Sequence, residues 1–152
     1  MMETNREQLE GYGEDVYCIR AKEKIRKLCK DPDADVHFLT GGTQANATII
    51  DALLRPYQGV ITAETGTLYT KKELKAIYEV CRKFEIPLFL DGARMAYGIG
   101  AKNTDVSIAD IAELTDVFYI GGTKVGAMFG EAVVITNPMY KNNFRSVIKQ
   151  HG

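Results

Sequence analysis

Three polar groups follow apolar, strand-like segments of this 152-residue sequence, and their types could do chemistry together. The turn Gly41-Gly42-Thr43 follows one segment, Asp91 ends a second, and Lys124 comes just after the glycine pair that ends a third. In open α/β sheets, ligands bind beyond the carboxyl ends of the strands. We therefore expect an anion-binding turn, an acid and an amine at one edge of a single sheet.

Each group also has a purely structural interpretation. Glycines let the backbone approach a ligand, and the free N–H groups of the coming helix, with the Thr43 hydroxyl, suit a phosphate dianion. The same residues also fit a tight turn with a helix cap at Thr43. Asp91 could form a salt bridge with Arg94 or cap a turn. Lys124 could be an ordinary surface lysine, although an amine at this edge would lose hydration.

The combination favours a cofactor. Pyridoxal phosphate requires a phosphate cradle, an acid opposite the pyridine nitrogen, and a lysine for the Schiff base. Asp91 would keep the ring nitrogen protonated, and Lys124 would bind the cofactor covalently and then move protons as a general base. Thirty-three residues separate Asp91 from Lys124, which is enough for one helix and one further strand. The two groups are therefore expected on neighbouring strands.

The elements that must position these groups follow from apolar runs and capping signals. Five apolar runs bounded by turn residues predict strands, at residues 36–40, 59–63, 87–90, 117–120 and 132–136. Helices are predicted over residues 43–54, from a capping box at Thr70 to about Phe84, from a capping box at Ser107 to Leu114, and from about Pro138.

The strands are apolar throughout and alternate with helices, which predicts an α/β fold with a mainly parallel sheet flanked by helices. The run at 132–136 lies only a short, glycine-containing connection beyond Lys124. That connection is too short for a crossover helix, so we expect this strand to be antiparallel to its predecessor. Residues 1–152 are predicted to form one domain.

Charge and composition argue against several classes of partner. The chain has 19 basic and 20 acidic residues and a net charge of −1, so nothing favours nucleic acid or anionic lipid. The three cysteines form no C-x-x-C pair, and no metal site is expected. The N-terminal residues are polar where a signal peptide would be apolar, and no stretch is long enough to span a membrane. We therefore predict a cytoplasmic protein.

The sequence resembles the low-specificity L-threonine aldolase and aromatic amino acid β-eliminating lyase family, which are pyridoxal-phosphate enzymes of fold type I. The resemblance is carried by GYGEDVY, DADVHFLTGGTQANATII, TLYTKKEL, PLFLDGAR and DVFYIGGTKVGAMFGEAVVI, which cover most of the chain. It implies part of the large cofactor-binding domain, a small amino acid as substrate, and a homo-oligomer with active sites between subunits. The implied roles are phosphate binding by Gly42 and Thr43, contact with the pyridine nitrogen by Asp91, a place near cofactor and substrate for Arg94, and the Schiff-base lysine for Lys124.

The sequence also departs from that family. We expect a partial cofactor-binding domain that lacks the usual N-terminal segment and the small C-terminal domain. It is also expected to lack a central block, and residues 63–70 are the junction at which that block is missing. The missing parts would hold a histidine that stacks on the cofactor and an arginine for the substrate carboxylate, and neither His37 nor His151 is expected to replace that histidine. The strand at 59–63 is expected to take the central place beside 87–90 in a five-stranded sheet, because a gap there would leave backbone groups unpaired.

Three functions remain open on the residues. The first is a lyase that cleaves a β-hydroxy amino acid to glycine and an aldehyde, or that eliminates a β-substituent. The second is a non-catalytic fragment that binds cofactor weakly or pairs with an intact subunit. The third is a nucleotide-binding oxidoreductase, because Gly98 and Gly100 form a glycine pair. No apolar strand directly precedes that pair and Asn103 takes the third glycine position, so the dinucleotide fingerprint fails.

Overall fold

The computed structural model describes residues 8–11, 13–55, 58–59 and 68–152. Within these ranges the helices are α1 (Val16–Cys29), α2 (Gly42–Leu53), α3 (Lys71–Lys83), α4 (Met95–Ile99), α5 (Ile108–Glu113) and α6 (Phe144–Gln150), with a 3₁₀ helix at Pro138–Tyr140. The strands are β1 (Asp35–Leu39), β2 (Phe89–Leu90), β3 (Val117–Gly121) and β4 (Glu131–Ile135). The four strands, α2, α3 and α5 lie within a few residues of their predicted positions, whereas α6 begins six residues after Pro138 and α4 was not predicted.

The four described strands form one mixed sheet in the order β1-β4-β3-β2. Only β2 and β3 pair in parallel, whereas β4 pairs antiparallel with both β3 and β1. The prediction of a mainly parallel sheet was therefore wrong, and the local prediction that β4 reverses direction is confirmed. The physical reason is that β4 returns through a short connection and inserts between β1 and β3, so one reversed strand makes two antiparallel pairs.

The apolar strands that suggested a parallel sheet are explained by cover on both faces. Residues of α1, α3 and α5 pack against Phe118 and Val134 on one face. Residues of α2 and α6 pack against Val117, Val133 and Ile135 on the other face. A strand covered on both sides is apolar at every position whichever way it runs. Among the described residues, no helix combines the length and the apolar character needed to cross a bilayer.

The strand predicted at 87–90 is shorter than expected. Pro87 has no N–H to donate to a ladder, and Leu88 is bonded to Asp116 instead, through its N–H to Asp116 Oδ2 at 2.7 Å and through its carbonyl to the Asp116 N–H at 3.0 Å. Regular pairing thus begins only at Phe89. The strand predicted at 59–63 lies outside the described residues except for Gly59, so its place beside 87–90 stays a prediction.

Both predicted capping boxes are confirmed. The N–H of Glu73 donates to Thr70 Oγ1 at 3.3 Å, and the Thr70 N–H donates to Glu73 Oε2 at 2.8 Å. At α5 the Asp110 N–H donates to Ser107 Oγ at 3.2 Å, and the Ser107 N–H donates to Asp110 Oδ2 at 2.9 Å. Each box satisfies two backbone donors that the first turn of a helix leaves free.

Candidate functional site

The glycine turn after β1 leads directly into α2, whose first turn has free donors. Gly41 is the N-cap, with extended backbone and no side-chain capping bond. No described residue accepts a hydrogen bond from the N–H of Gly42, Thr43 or Gln44. The Gln44 side chain bonds back to the residue that follows β1, because its Oε1 accepts from the Thr40 N–H at 3.1 Å. Three unpaired amides at a helix N-terminus attract an anion.

An open cavity of about 450 Å³ lies against this turn. Its lining consists of Thr40, Gly41, Gly42, Thr43, Gln44, Ala47 and His151. The sequence suggested no role for His151. In the structure His151 lines this cavity, and its Nε2 lies 3.1 Å from Asp51 Oδ2. Asp91 and Lys124 are not among the lining residues.

Asp91 follows β2 and accepts hydrogen bonds from neutral groups. The Ala93 N–H donates to its Oδ1 at 2.9 Å, and the Tyr119 hydroxyl donates to the same oxygen. Asn46 Nδ2 donates to Oδ2 at 3.0 Å. Asp91 thus joins β2 to the first turns of α2 and to β3, as expected for groups on neighbouring strands.

These contacts favour the ionised carboxylate. Burial alone would raise the pKa of Asp91, but the hydrogen bonds from Tyr119, the Ala93 amide and Asn46, together with the charge of Lys124, lower it below its ordinary value. Burial and the bond to Asp91 raise the pKa of Tyr119. Asp91 is therefore an anion, and Tyr119 a neutral donor, at ordinary pH.

The orientation of Asn46 has an energetic cost. Its Nδ2 points at Asp91, and its Oδ1 is buried without a partner among the described residues. A buried acceptor with no donor costs about 1–3 kcal/mol. The amide keeps this orientation because the alternative would turn its oxygen toward the Asp91 carboxylate.

Lys124 lies in the turn that joins β3 to β4, and a buried acid fixes the residues before it. Glu131, at the start of β4, is only 3% exposed. Its oxygens accept from the Gly122 N–H at 2.7 Å and from Thr123 Oγ1 at 2.6 Å. The Tyr97 hydroxyl donates to the Lys124 carbonyl at 3.0 Å. The backbone is thus held in place while the Lys124 side chain is exposed.

Gly42 lies close to the side chains that hold Asp91 and the turn of Lys124. A Cβ on Gly42 would lie 3.3 Å from Tyr119 Oη and 4.0 Å from Glu131 Oε1. Tyr119 holds Asp91, and Glu131 holds the turn of Lys124. A side chain at position 42 would require the Tyr119 hydroxyl to shift by a few tenths of an ångström and would be in ordinary contact with Glu131, so glycine allows the start of α2 to lie close to both residues.

Arg94 is the predicted site residue that the structure does not join to the others. It is the N-cap of α4 and is exposed. The described residues include no ion pair between Arg94 and Asp91, so the salt-bridge interpretation of Asp91 was wrong. The turn-cap interpretation is confirmed by the bond from the Ala93 N–H to Asp91 Oδ1. Gly98 and Gly100 lie at the end of α4, not between a strand and a helix, which agrees with the rejection of a dinucleotide site.

Sequence reasoning missed Asn46, Tyr119 and Glu131. Asn46 follows Gly42 by one helical turn, so a helix starting at the glycine places both on one face. Tyr119 and Glu131 are the polar positions of otherwise apolar strands, and a buried polar group in a strand needs a partner. Within the described ranges, no cluster of His, Cys, Asp and Glu is arranged to hold a metal ion.

Comparison with known proteins identifies the family of this chain. The model of the family described as Beta-eliminating lyase matches residues 60–152. Low specificity L-threonine aldolases from Pseudomonas aeruginosa and from another Pseudomonas species are each 25% identical to this chain across its whole length. A solved threonine aldolase from Leishmania major is 35% identical, with a TM-score of 0.94 over 100% of this chain.

The chain spans only part of these relatives. It covers 61% of each Pseudomonas protein and 62% of the Leishmania chain. The alignment with the Pseudomonas aeruginosa protein extends over 213 residues, so that relative has residues within the aligned region that these 152 lack. The family match covers more than half of the chain, which thus belongs to the beta-eliminating lyase family of pyridoxal-phosphate-dependent enzymes, together with the threonine aldolases.

Proposed function

We propose that this chain binds pyridoxal phosphate at the edge where β2 and β3 end, and that it acts as a carbon–carbon lyase on a β-hydroxy amino acid, giving glycine and an aldehyde. Lys124 is the catalytic residue of this proposal. Gly42, Thr43, Asp91, Arg94 and Lys124 bind the cofactor.

The environment of Asp91 carries the proposal. It is an ionised carboxylate whose hydrogen bonds all come from neutral donors, and no residue of the described chain forms an ion pair with it. The buried acid Asp116, by contrast, pairs with Arg82, whereas Asp91 is exposed at the end of its strand and is held by hydrogen bonds alone. An unpaired anion at the carboxyl ends of the strands suits a cationic ring nitrogen.

The other groups fit the same ligand. The three free amides of α2 and the exposed Thr43 hydroxyl suit its phosphate. The exposed Lys124 amine is near enough to Asp91 for its charge to lower the Asp91 pKa. When bound, pyridoxal phosphate supplies an electron sink for a bond that breaks at an amino acid Cα. Lys124 would hold the cofactor covalently and then accept a proton, and Arg94 offers an exposed cation for a carboxylate.

Elimination of a β-substituent is the second candidate reaction. It is favoured by the family match, because the matching model is that of beta-eliminating lyases. The products separate the two reactions, since retro-aldol cleavage gives glycine and an aldehyde whereas elimination gives ammonia and a 2-oxo acid.

The first test is a visible absorption spectrum of the purified chain with pyridoxal phosphate, followed by borohydride reduction and peptide mapping. We expect a cofactor band and a reduced adduct on Lys124, both lost in Lys124→Ala. Lys102→Ala is the matched control, because Lys102 is an exposed lysine outside the site. Identical spectra and adducts in wild type and Lys124→Ala would refute the proposal.

Activity is tested next with threonine and with a β-substituted alanine, with glycine and 2-oxo acid measured separately. Glycine formation that depends on Lys124 supports the aldol reaction, and 2-oxo acid formation supports elimination. An adduct on Lys124 with neither product would identify the chain as a non-catalytic cofactor binder.

A further inference from the structure

We propose that Asn46 and Tyr119 are positioning residues that aim the Asp91 carboxylate at the ring nitrogen of the bound cofactor. This inference rests on the proposed function and assigns a role to two residues outside the predicted site. Neither residue is required to touch the cofactor, because each acts through Asp91.

The bonds to the two carboxylate oxygens are unequal. Oδ1 accepts from both the Ala93 N–H, at 2.9 Å, and the Tyr119 hydroxyl, whereas Oδ2 accepts only from Asn46 Nδ2, at 3.0 Å. Each carboxylate oxygen can accept about two hydrogen bonds. Oδ1 is thus fully used, and Oδ2 keeps a free acceptor position. The geometry assigns Oδ2 as the oxygen that faces an incoming N–H.

The strain at Asn46 indicates a role beyond packing. Its Oδ1 is buried without a partner among the described residues. The side-chain amide therefore lacks one hydrogen bond in the orientation in which its nitrogen donates to Asp91. An apolar residue at this position would remove that cost. A side chain that keeps a buried polar atom unsatisfied while it holds an exposed acid is better explained by the function of the acid than by stability.

Tyr119 contributes a donor that does not ionise at working pH. It is 1% exposed and packs on the α2 face of the sheet, and burial with the bond to Asp91 raises its pKa. Its hydroxyl therefore keeps its proton and holds Oδ1 in place.

The charged and titratable groups around Asp91 are few. Tyr119 and Lys124 act on Asp91 directly, and Glu131 acts on Tyr119. Removal of either neutral donor should therefore make the carboxylate more basic and less well directed. Tyr119→Phe deletes one oxygen, and Asn46→Leu replaces the amide with an apolar group of similar shape.

The test measures the titration of the Asp91 carboxyl carbon by NMR in the cofactor-free chain, and the affinity for pyridoxal phosphate by absorption. We expect Tyr119→Phe and Asn46→Leu each to raise the Asp91 pKa and to weaken cofactor binding about tenfold, as for loss of a hydrogen bond to a charged group. Tyr140→Phe is the matched control, because Tyr140 packs on the same face of the sheet away from Asp91.

A double-mutant cycle separates positioning from packing. If Tyr119 acts through the carboxylate, Tyr119→Phe has no further effect on cofactor affinity once Asp91→Asn is present. An equal loss of affinity in both backgrounds overturns the inference, as does an unchanged Asp91 pKa in Tyr119→Phe and Asn46→Leu. The two proposals fail differently. Absence of a wild-type adduct on Lys124 refutes the cofactor site itself, whereas a wild-type adduct with unaltered affinity in both variants refutes only the positioning roles.

Discussion

Two aspartates at opposite ends of the parallel pair β2 and β3 have different environments. Asp116, just before β3, is 2% exposed, pairs with Arg82 and accepts from the Leu88 N–H and from Asn137 Nδ2. Asp91, just after β2, is exposed and accepts hydrogen bonds only from neutral donors. A charge with its own partner stabilises the fold, and one without a partner is available to a ligand.

Asp116→Ala should be strongly destabilising. It would leave the Leu88 N–H and the Asn137 amide without their acceptor and would break the ion pair with the half-buried Arg82, and breaking a buried ion pair costs up to about 3–5 kcal/mol. Chemical denaturation measures this loss of unfolding free energy. The control is Glu79→Ala, which breaks an exposed pair with Lys75 and should cost less than about 1 kcal/mol. Equal effects of the two variants would contradict the role given to Asp116.

At the scale of elements, the start of α5 combines a capping box with an ion pair to another helix. Ser107 and Asp110 form the capping box, and Asp110 also pairs with Lys71 at the start of α3. Ser107→Ala should cost about 1 kcal/mol of unfolding free energy, because a backbone donor loses its acceptor. Ser146→Ala on the exposed surface of α6 is the control, and no loss is expected there. A Ser107→Ala protein as stable as wild type would show that the cap is dispensable.

The contacts of Asp110 also predict how the stability of the fold depends on acidic pH. The hydrogen bond from Lys71, followed by those from Ser107, lowers the pKa of Asp110 from its ordinary 3.8 to about 2. Because the folded-state pKa is depressed, this stabilisation is present above pH 3.8 and is lost as the pH falls toward 2. Denaturation at pH about 5 and about 2.5 should show a smaller acid-induced loss in Asp110→Asn than in wild type. Equal losses would contradict this assignment.

At the scale of the whole molecule, the fold encloses a histidine between a strand and a helix. His37 lies on β1, with its ring 5.1 Å from that of Phe144 at the start of α6, and its Nε2 is buried without a partner among the described residues. Burial lowers its pKa although Asp35 opposes the shift. The packing of α6 on the sheet therefore favours a neutral imidazole.

This packing predicts a second, separate pH window. In the unfolded chain the His37 imidazole takes up a proton near pH 6.5, whereas in the folded chain burial disfavours the charged form. The contribution of His37 to the free energy of unfolding is therefore fully present above about pH 6.5 and is lost as the pH falls below that value. Unfolding free energies at pH about 7.5 and about 5.5 should differ more in wild type than in His37→Leu. An identical pH dependence in His37→Leu would assign the effect to other groups.

Much of this molecule follows from local sequence. The capping boxes at Thr70 and Ser107, the apolar strands and the glycine turn at Gly42 depend on residues within one helical turn or one strand of each other. Interactions between residues this close in sequence depend little on the rest of the fold, so they can be predicted from the segment alone. The positions of Asp91 and Lys124 after their strands were predictable for this reason.

Only the tertiary structure decided how the strands are ordered and which side chains meet. The insertion of β4 between β1 and β3 depends on contacts between residues far apart in the chain, such as Asp35 opposite Ile135. The bonds of Asn46 and Tyr119 to Asp91 cross 45 and 28 residues. An apolar strand has the same composition in either direction, and a polar residue has no partner until the chain has folded. Sequence thus determined the parts and the chemistry they could offer, and long-range packing determined their arrangement around Asp91.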